Sequence, residues 1–202
     1  MRKGKATLIV ICVVLGLTLL WVILIAIGDR AVESLKASFP TPTLLETHLR
    51  EARIMPADLP AGWRLAGESY DDIPGALTAF TVAYNGAPGK SWVKVSQQVT
   101  IYPNVTSAAM AYQETLQSFS KSWISPPGLT FTGNADEMYI TCIPAYIDGL
   151  HIYSCVAVGL YGDTLSTLWA NVFEEQWLTM GDFEKVLEAM DRRVLESSDQ
   201  SD

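Results

Sequence analysis

Two long strand-forming runs, 138–147 and 150–160, are separated by the single step Asp148-Gly149. Asp-Gly between apolar runs is a strong short-range hairpin signal, because a type I′ turn needs positive φ at both central residues. A two-residue loop also fixes the register, since paired residue numbers must then sum to 297. Cys142 therefore faces Cys155. Counted outward from 147/150, the pairs 146/151, 144/153 and 142/155 fall at non-hydrogen-bonded positions. There the Cα atoms lie about 4.5 Å apart, at the short end of disulfide reach. Pro144 shares that phase, where its missing amide costs this ladder nothing. The register predicts a Cys142–Cys155 disulfide and with it an oxidising compartment. Two aligned free thiols are the other reading.

The same register sorts side chains by face. Ile143, Ala145, Ile147, Leu150, Ile152, Val156 and Val158 share one face and are expected in the core. Cys142, Pro144, Tyr146, His151, Tyr153 and Cys155 share the other. That second face is aromatic and semi-polar. It either packs under a helix or loop or forms a ligand or partner surface, with Tyr146, His151 and Tyr153 as the candidate binding face.

Residues 6–28 carry no charge and no proline. At ~1.5 Å per residue, 23 residues make a helix of roughly 35 Å, enough to cross a hydrocarbon core of ~30 Å with some tilt. A cleaved signal peptide is the rival, but its apolar core is shorter, and Ala26-Ile27-Gly28 is a poor small-x-small cleavage site. Arg2, Lys3 and Lys5 precede the segment and favour a cytoplasmic N-terminus. They leave 11 of the 14 basic residues against all 22 acidic ones, a net charge of about −11 from residue 29 onward. Such a domain repels phosphate backbones, which argues against nucleic acid, and repels anionic lipid, which confines bilayer contact to residues 6–28. The expected layout is a cytoplasmic 1–5, a transmembrane helix 6–28, a juxtamembrane helical linker 29–55, an extracytoplasmic domain 56–196 and a disordered tail 197–202. Asn104-Val105-Thr106 is a glycosylation sequon, relevant only in a eukaryotic secretory route.

Periodicity supplies the element order. A short amphipathic helix is expected to about Met55, then strands near 63–70, 77–84 and 92–102. A helix capped at Thr106 or Ser107 should run to about Ser122. After the hairpin come a strand over 164–173 and a helix from about Thr179, with Phe183, Val186, Leu187, Met190 and Val194 as its apolar stripe. Trp92 and Trp169 fall in strands and are expected in the core. Trp123 and Trp177 flank loops, where a partner contact is possible. Strands segregated from helices indicate an α+β fold, a mainly antiparallel sheet flanked by helices.

Chemistry is harder to find. The two histidines, His48 and His151, stand near no G-x-S-x-G elbow, and Ser154 should point away from His151. The cysteine and histidine spacings form no metal motif, and no glycine-rich phosphate loop opens a helix. No cofactor is expected. The carboxylate pairs Asp71-Asp72, Asp136-Glu137 and Glu174-Glu175 read as solvated loop charge.

Residues 58–63 (DLPAGW) are similar to the start of the folded domain in anchored bacterial extracytoplasmic proteins. With the element order over about 56–195, this resembles the PsbP-like and mycobacterial kinase-sensor-like domains. The resemblance implies an antiparallel sheet flanked by helices, with a binding or sensing role rather than catalysis. The expectation is a single-pass anchored extracytoplasmic binding domain that has an envelope protein as a possible partner. The alternatives are an accessory subunit of a membrane complex and an envelope hydrolase.

Overall fold

The computed structural model describes residues 44–119 and 122–198. The expected transmembrane helix 6–28 and the expected cytoplasmic end 1–5 lie outside the described residues. Within them, no helix is long and apolar enough to cross a membrane.

Six strands form one antiparallel sheet: β1 (Arg64–Asp71), β2 (Thr78–Asn85), β3 (Lys94–Ile101), β4 (Glu137–Ile147), β5 (Leu150–Tyr161) and β6 (Thr164–Phe173). Their spatial order is β1-β2-β3-β6-β5-β4. Two hairpin-linked triplets thus meet where β3 pairs with β6, as in Val95 opposite Ala170. Three helices complete the fold: α1 (Leu44–Glu51), α2 (Val105–Gln117) and α3 (Met180–Ser198). This is the α+β architecture expected from the sequence.

The predicted hairpin forms in the predicted register, Ile147 opposite Leu150 and Cys142 opposite Cys155. Asp148 and Gly149 have φ of 51° and 78°, as a type I′ turn requires. Cys142 and Cys155 form a disulfide with Cα atoms 4.0 Å apart. Both are fully buried in the main core.

That core lies on one face of the sheet, under α1 and α3. Strand alternation puts Phe80, Val82, Tyr84, Val95, Val99, Leu168, Ala170, Cys155 and Ala157 there. The α3 stripe Phe183, Val186, Leu187, Met190 and Val194 is wholly buried against them. Each such side chain contributes roughly 1.5–3 kcal/mol of transfer free energy. The helix starts on a capping box, with the Asp182 amide donating to Thr179 Oγ1 and the Thr179 amide and hydroxyl donating to Asp182 Oδ2. A smaller cluster occupies the opposite face, where Ala108 and Tyr112 of α2 cover Val156, Val158, Leu160 and Leu165.

Several expectations shift. Leu49, Ala52 and Ile54 are fully buried, so 44–55 belongs to the folded domain and is not a linker ending at 55. The fully buried Gln97 fixes this segment. Its Oε1 accepts from the Ile54 amide at 2.6 Å, and its Nε2 donates to Ala52 O at 3.2 Å and Ser166 Oγ at 3.0 Å. Tyr84 Oη also donates to Ile54 O at 2.8 Å. At the other end α3 runs through Ser198 and Ser197 is buried, so 197 and 198 are helix and not tail, and 199–202 lie outside the described residues. The N-cap of α2 is Asn104, two or three residues before the expected one, because Asn104 Oδ1 accepts from the Ser107 amide at 2.9 Å. The hairpin faces match expectation in part: Ile152, Val156 and Val158 are buried, but Ile143, Ala145, Ile147 and Leu150 are only half-buried, and on the other face Cys142 and Cys155 are buried while Pro144 and Tyr146 are exposed.

The DLPAGW stretch is structural. Asp58 Oδ2 accepts from the Met55 amide at 2.7 Å and from Arg193 Nε at 2.7 Å, tying the chain to α3. Trp63 is buried and donates from Nε1 to Trp177 O at 3.3 Å. Its ring packs on Gly86, where a Cβ would lie 2.5 Å from Trp63 Cε2.

Candidate functional site

The hairpin brings the predicted residues together. Tyr146 lies opposite His151, with ring centroids 5.1 Å apart. Tyr153 follows on the same face, 4.9 Å from the His151 ring. His151 Nδ1 sits 3.1 Å from Glu174 Oε1. Tyr146 is 77% exposed, so the ladder of rings runs from solvent toward the core. A hollow of about 350 Å³ beside it is lined by Leu150, His151, Phe173 and the chain 174–176. Ser154 lies on the opposite face from His151 by strand alternation.

A second surface was missed by sequence reasoning. Helix α2 covers only the β5–β6 end of its face. The rest of that face, over β2, β3, β6 and the start of β5, holds an open groove of about 370 Å³. Thr81, Lys94, Ser96, Gln98, Ser154, Trp169 and Asn171 line it. Trp169, expected in the core, is 41% exposed here. It pairs with Ser96 on one side and Val156 on the other, in the middle of the sheet.

The polar groups in this groove are held in place. Asp71 Oδ2 accepts from the Thr81 hydroxyl and from Gln98 Nε2 at 3.1 Å. Asp71 Oδ1 accepts from Ser69 Oγ at 3.0 Å. Gln98 Nε2 also reaches Thr81 Oγ1 at 3.2 Å. Burial alone would raise the Asp71 carboxyl, but these hydrogen bonds outweigh it and hold it below its ordinary value. Asn171 Nδ2 donates to Trp92 O at 2.7 Å, and Ser96 Oγ to Val82 O at 3.2 Å. Lys94 makes no ion pair among the described residues.

The other carboxylate pairs divide. Asp136 Oδ2 accepts from the Gly162 amide at 2.7 Å, and Glu174 meets His151. Among the described residues no three His, Cys, Asp or Glu side chains are grouped to hold a metal ion. The buried Asp191 is a fold anchor: it accepts from Tyr161 Oη at 3.0 Å and from Asn134 Nδ2 at 2.8 Å. Burial first, then the nearby Asp191 charge, pushes the Tyr161 phenol far above its ordinary range.

No family model matches the chain, and no curated protein matches its sequence. Among solved structures it is similar to the extracellular domain of PknH from Mycobacterium tuberculosis. The TM-score is 0.54 at 9% identity, over 76% of this chain and 96% of that one. At that identity the likeness concerns the fold. In fold it agrees with the resemblance to kinase-sensor-like domains.

Proposed function

We propose that this chain is a single-pass, membrane-anchored extracytoplasmic domain that binds a ligand on the open part of its sheet. Residues 6–28 are the anchor and residues 1–5 the cytoplasmic end. The observation that carries the reading is the buried Cys142–Cys155 disulfide, because such a bond persists outside the reducing cytoplasm. It agrees with the basic residues ahead of the apolar run, which independently favour the same side. The fold neighbour is likewise an extracellular domain. A groove of about 370 Å³ with an exposed indole and fixed polar groups is the size of a small-ligand site, ~300–1,000 Å³.

The test is a pair of C-terminal fusions expressed in bacterial membranes. An alkaline phosphatase fusion is expected to be active, because that enzyme needs its own disulfides. A cytoplasm-dependent fluorescent fusion is expected to be dark. An inactive phosphatase with a bright fluorescent partner would reverse the topology and end the reading.

A further inference from the structure

We propose that the bare sheet face around Trp169 is a glycan-binding face, taking a pyranose-based oligosaccharide that is neutral or carries carboxylates. The proposal rests on the extracytoplasmic reading above, which brings envelope polysaccharide within reach.

The argument starts from the indole. Trp169 stands in the central strand pair, 41% exposed, with polar groups around it and no aromatic ring stacked on it among the described contacts. A ring left this open in a tightly paired sheet loses the burial that normally repays an indole. A ligand that restores it must present a flat apolar patch of about one ring. It must also satisfy hydroxyls and amides on every side. The groove offers the hydroxyls of Thr81, Ser96 and Ser154 and the amides of Gln98 and Asn171. The axial C–H face of a pyranose meets the first demand, and its ring of hydroxyls, each both donor and acceptor, meets the second.

Other occupants fit worse. The backbones of β2, β3, β6 and β5 are paired on both sides, so an extended peptide gains no ladder there. A lipid chain needs a continuous apolar channel, whereas this groove has one aromatic ring inside a polar border. Nucleic acid meets a domain of net charge near −11. Charge also bears on the class of sugar. The Asp71 carboxylate is occupied by three donors, while Lys94 is the groove's unpaired cation. The ionised Asp71 and Lys94 balance in charge, and Lys94, in no ion pair among the described residues, can meet the carboxylate of a uronic acid, so the groove suits a neutral or uronic-acid glycan.

The site is also preorganised. Thr81, Gln98 and Ser69 are locked through Asp71, so ordering them costs little when a ligand arrives.

The full-length chain in lipid nanodiscs would be applied to an array of neutral, N-acetylated and uronic-acid oligosaccharides. Retention of at least one of these classes is expected. Trp169→Ala should weaken it about tenfold or more, through loss of the stacked ring. Thr81→Val should weaken it severalfold, and Met110→Ala, on the exposed side of α2, should bind like the parent. Far-UV circular dichroism and retention of the 142–155 disulfide would show that each variant folds. Should Trp169→Ala fail that check, Trp169→Phe and Thr81→Val carry the test. A blank array with an active phosphatase fusion overturns the glycan proposal and leaves the extracytoplasmic reading standing. Binding undiminished in the Trp169 and Thr81 variants overturns the site. An inactive phosphatase fusion overturns the earlier reading, and this one with it.

Discussion

At the scale of single residues, Gln97 and Asp71 show how buried polar groups act in this fold. Gln97 spends both ends of its amide on partners 43 to 69 positions away in sequence. Gln97→Leu keeps the volume but strands the Ile54 amide and the Ala52 carbonyl. The expected cost is roughly 1–3 kcal/mol for each group left unpaired, read as a lower urea midpoint of the full chain. An unchanged midpoint would mean that water replaces the amide. Asp71 gives a pH dependence. Its folded carboxyl is held below the ordinary value by Thr81, Gln98 and Ser69, so the folded state favours the ionised form. Its contribution is present above an unfolded value of about 3.9 and is lost as pH falls through the lower folded one. Urea midpoints should drop below about pH 4, and Asp71→Asn should flatten part of that acid limb. Equal slopes in both proteins would remove Asp71 as a cause. Neither residue's role was legible in sequence, for a definite reason. The alternation Val93, Val95, Val99, Ile101 runs through Gln97, so the interruption is visible, but its partners are too distant to infer. Trp169 failed differently. Both phases of β6 mix apolar and polar residues, Thr164, Ser166, Leu168, Ala170 and Val172 against Leu165, Thr167, Trp169, Asn171 and Phe173. A period of two selects no face there.

At the scale of elements, the β4–β5 hairpin was legible because its determinants are local. One Asp-Gly step and a parity rule gave the register, the Cys142–Cys155 pairing and the shared face of Tyr146, His151 and Tyr153. The pairing of β3 with β6 was not legible, since nothing near either strand encodes it. Helix α1 is legible as a helix but not as part of the folded domain, because amphipathicity over eight residues does not say what the apolar side meets. The disulfide yields an element-scale prediction. It closes a loop of sequence separation 13, for which the chain-entropy model gives about 3 kcal/mol. The double variant Cys142→Ala/Cys155→Ala should lose about 2–4 kcal/mol in urea unfolding. Because both sulfurs are buried, a reductant without denaturant should leave the parent's bond intact over hours, as followed by alkylation and mass spectrometry. Rapid alkylation under those conditions would show that the hairpin opens readily.

At the scale of the whole molecule, the sheet separates two cores of unequal size, and stability should follow that division. On one face α3 buries Phe183, Val186, Leu187, Ala189, Met190 and Val194. On the other, α2 buries only Ala108 and Tyr112 of its 13 residues. A helix of that length is marginal without tertiary support, so its opening free energy is set by those few contacts. Central strands β3, β5 and β6 are paired on both sides, whereas β1 is an edge strand exposed along nearly its whole length. Hydrogen exchange of the full chain should therefore sort into tiers. Amides of β1 and α2 should exchange first, through local openings well below the global unfolding free energy. Those of α3, β5 and β6 should exchange last and together, at the free energy found by urea unfolding. Tyr112→Ala should accelerate α2 by at least an order of magnitude, as an opening loosened by more than 1.4 kcal/mol requires, and leave α3 nearly unchanged. Uniform acceleration across both helices would instead mean that the two cores unfold as one. The tiers bear on binding as well. The groove around Trp169 is built on β6, of the slowest tier, and on β3, which is likewise paired on both sides, so a ligand there meets a rigid floor next to an easily released helix. Slower α2 exchange upon oligosaccharide addition, with α3 unaffected, would place the bound glycan against that helix, and acceleration or no change would place it away from it.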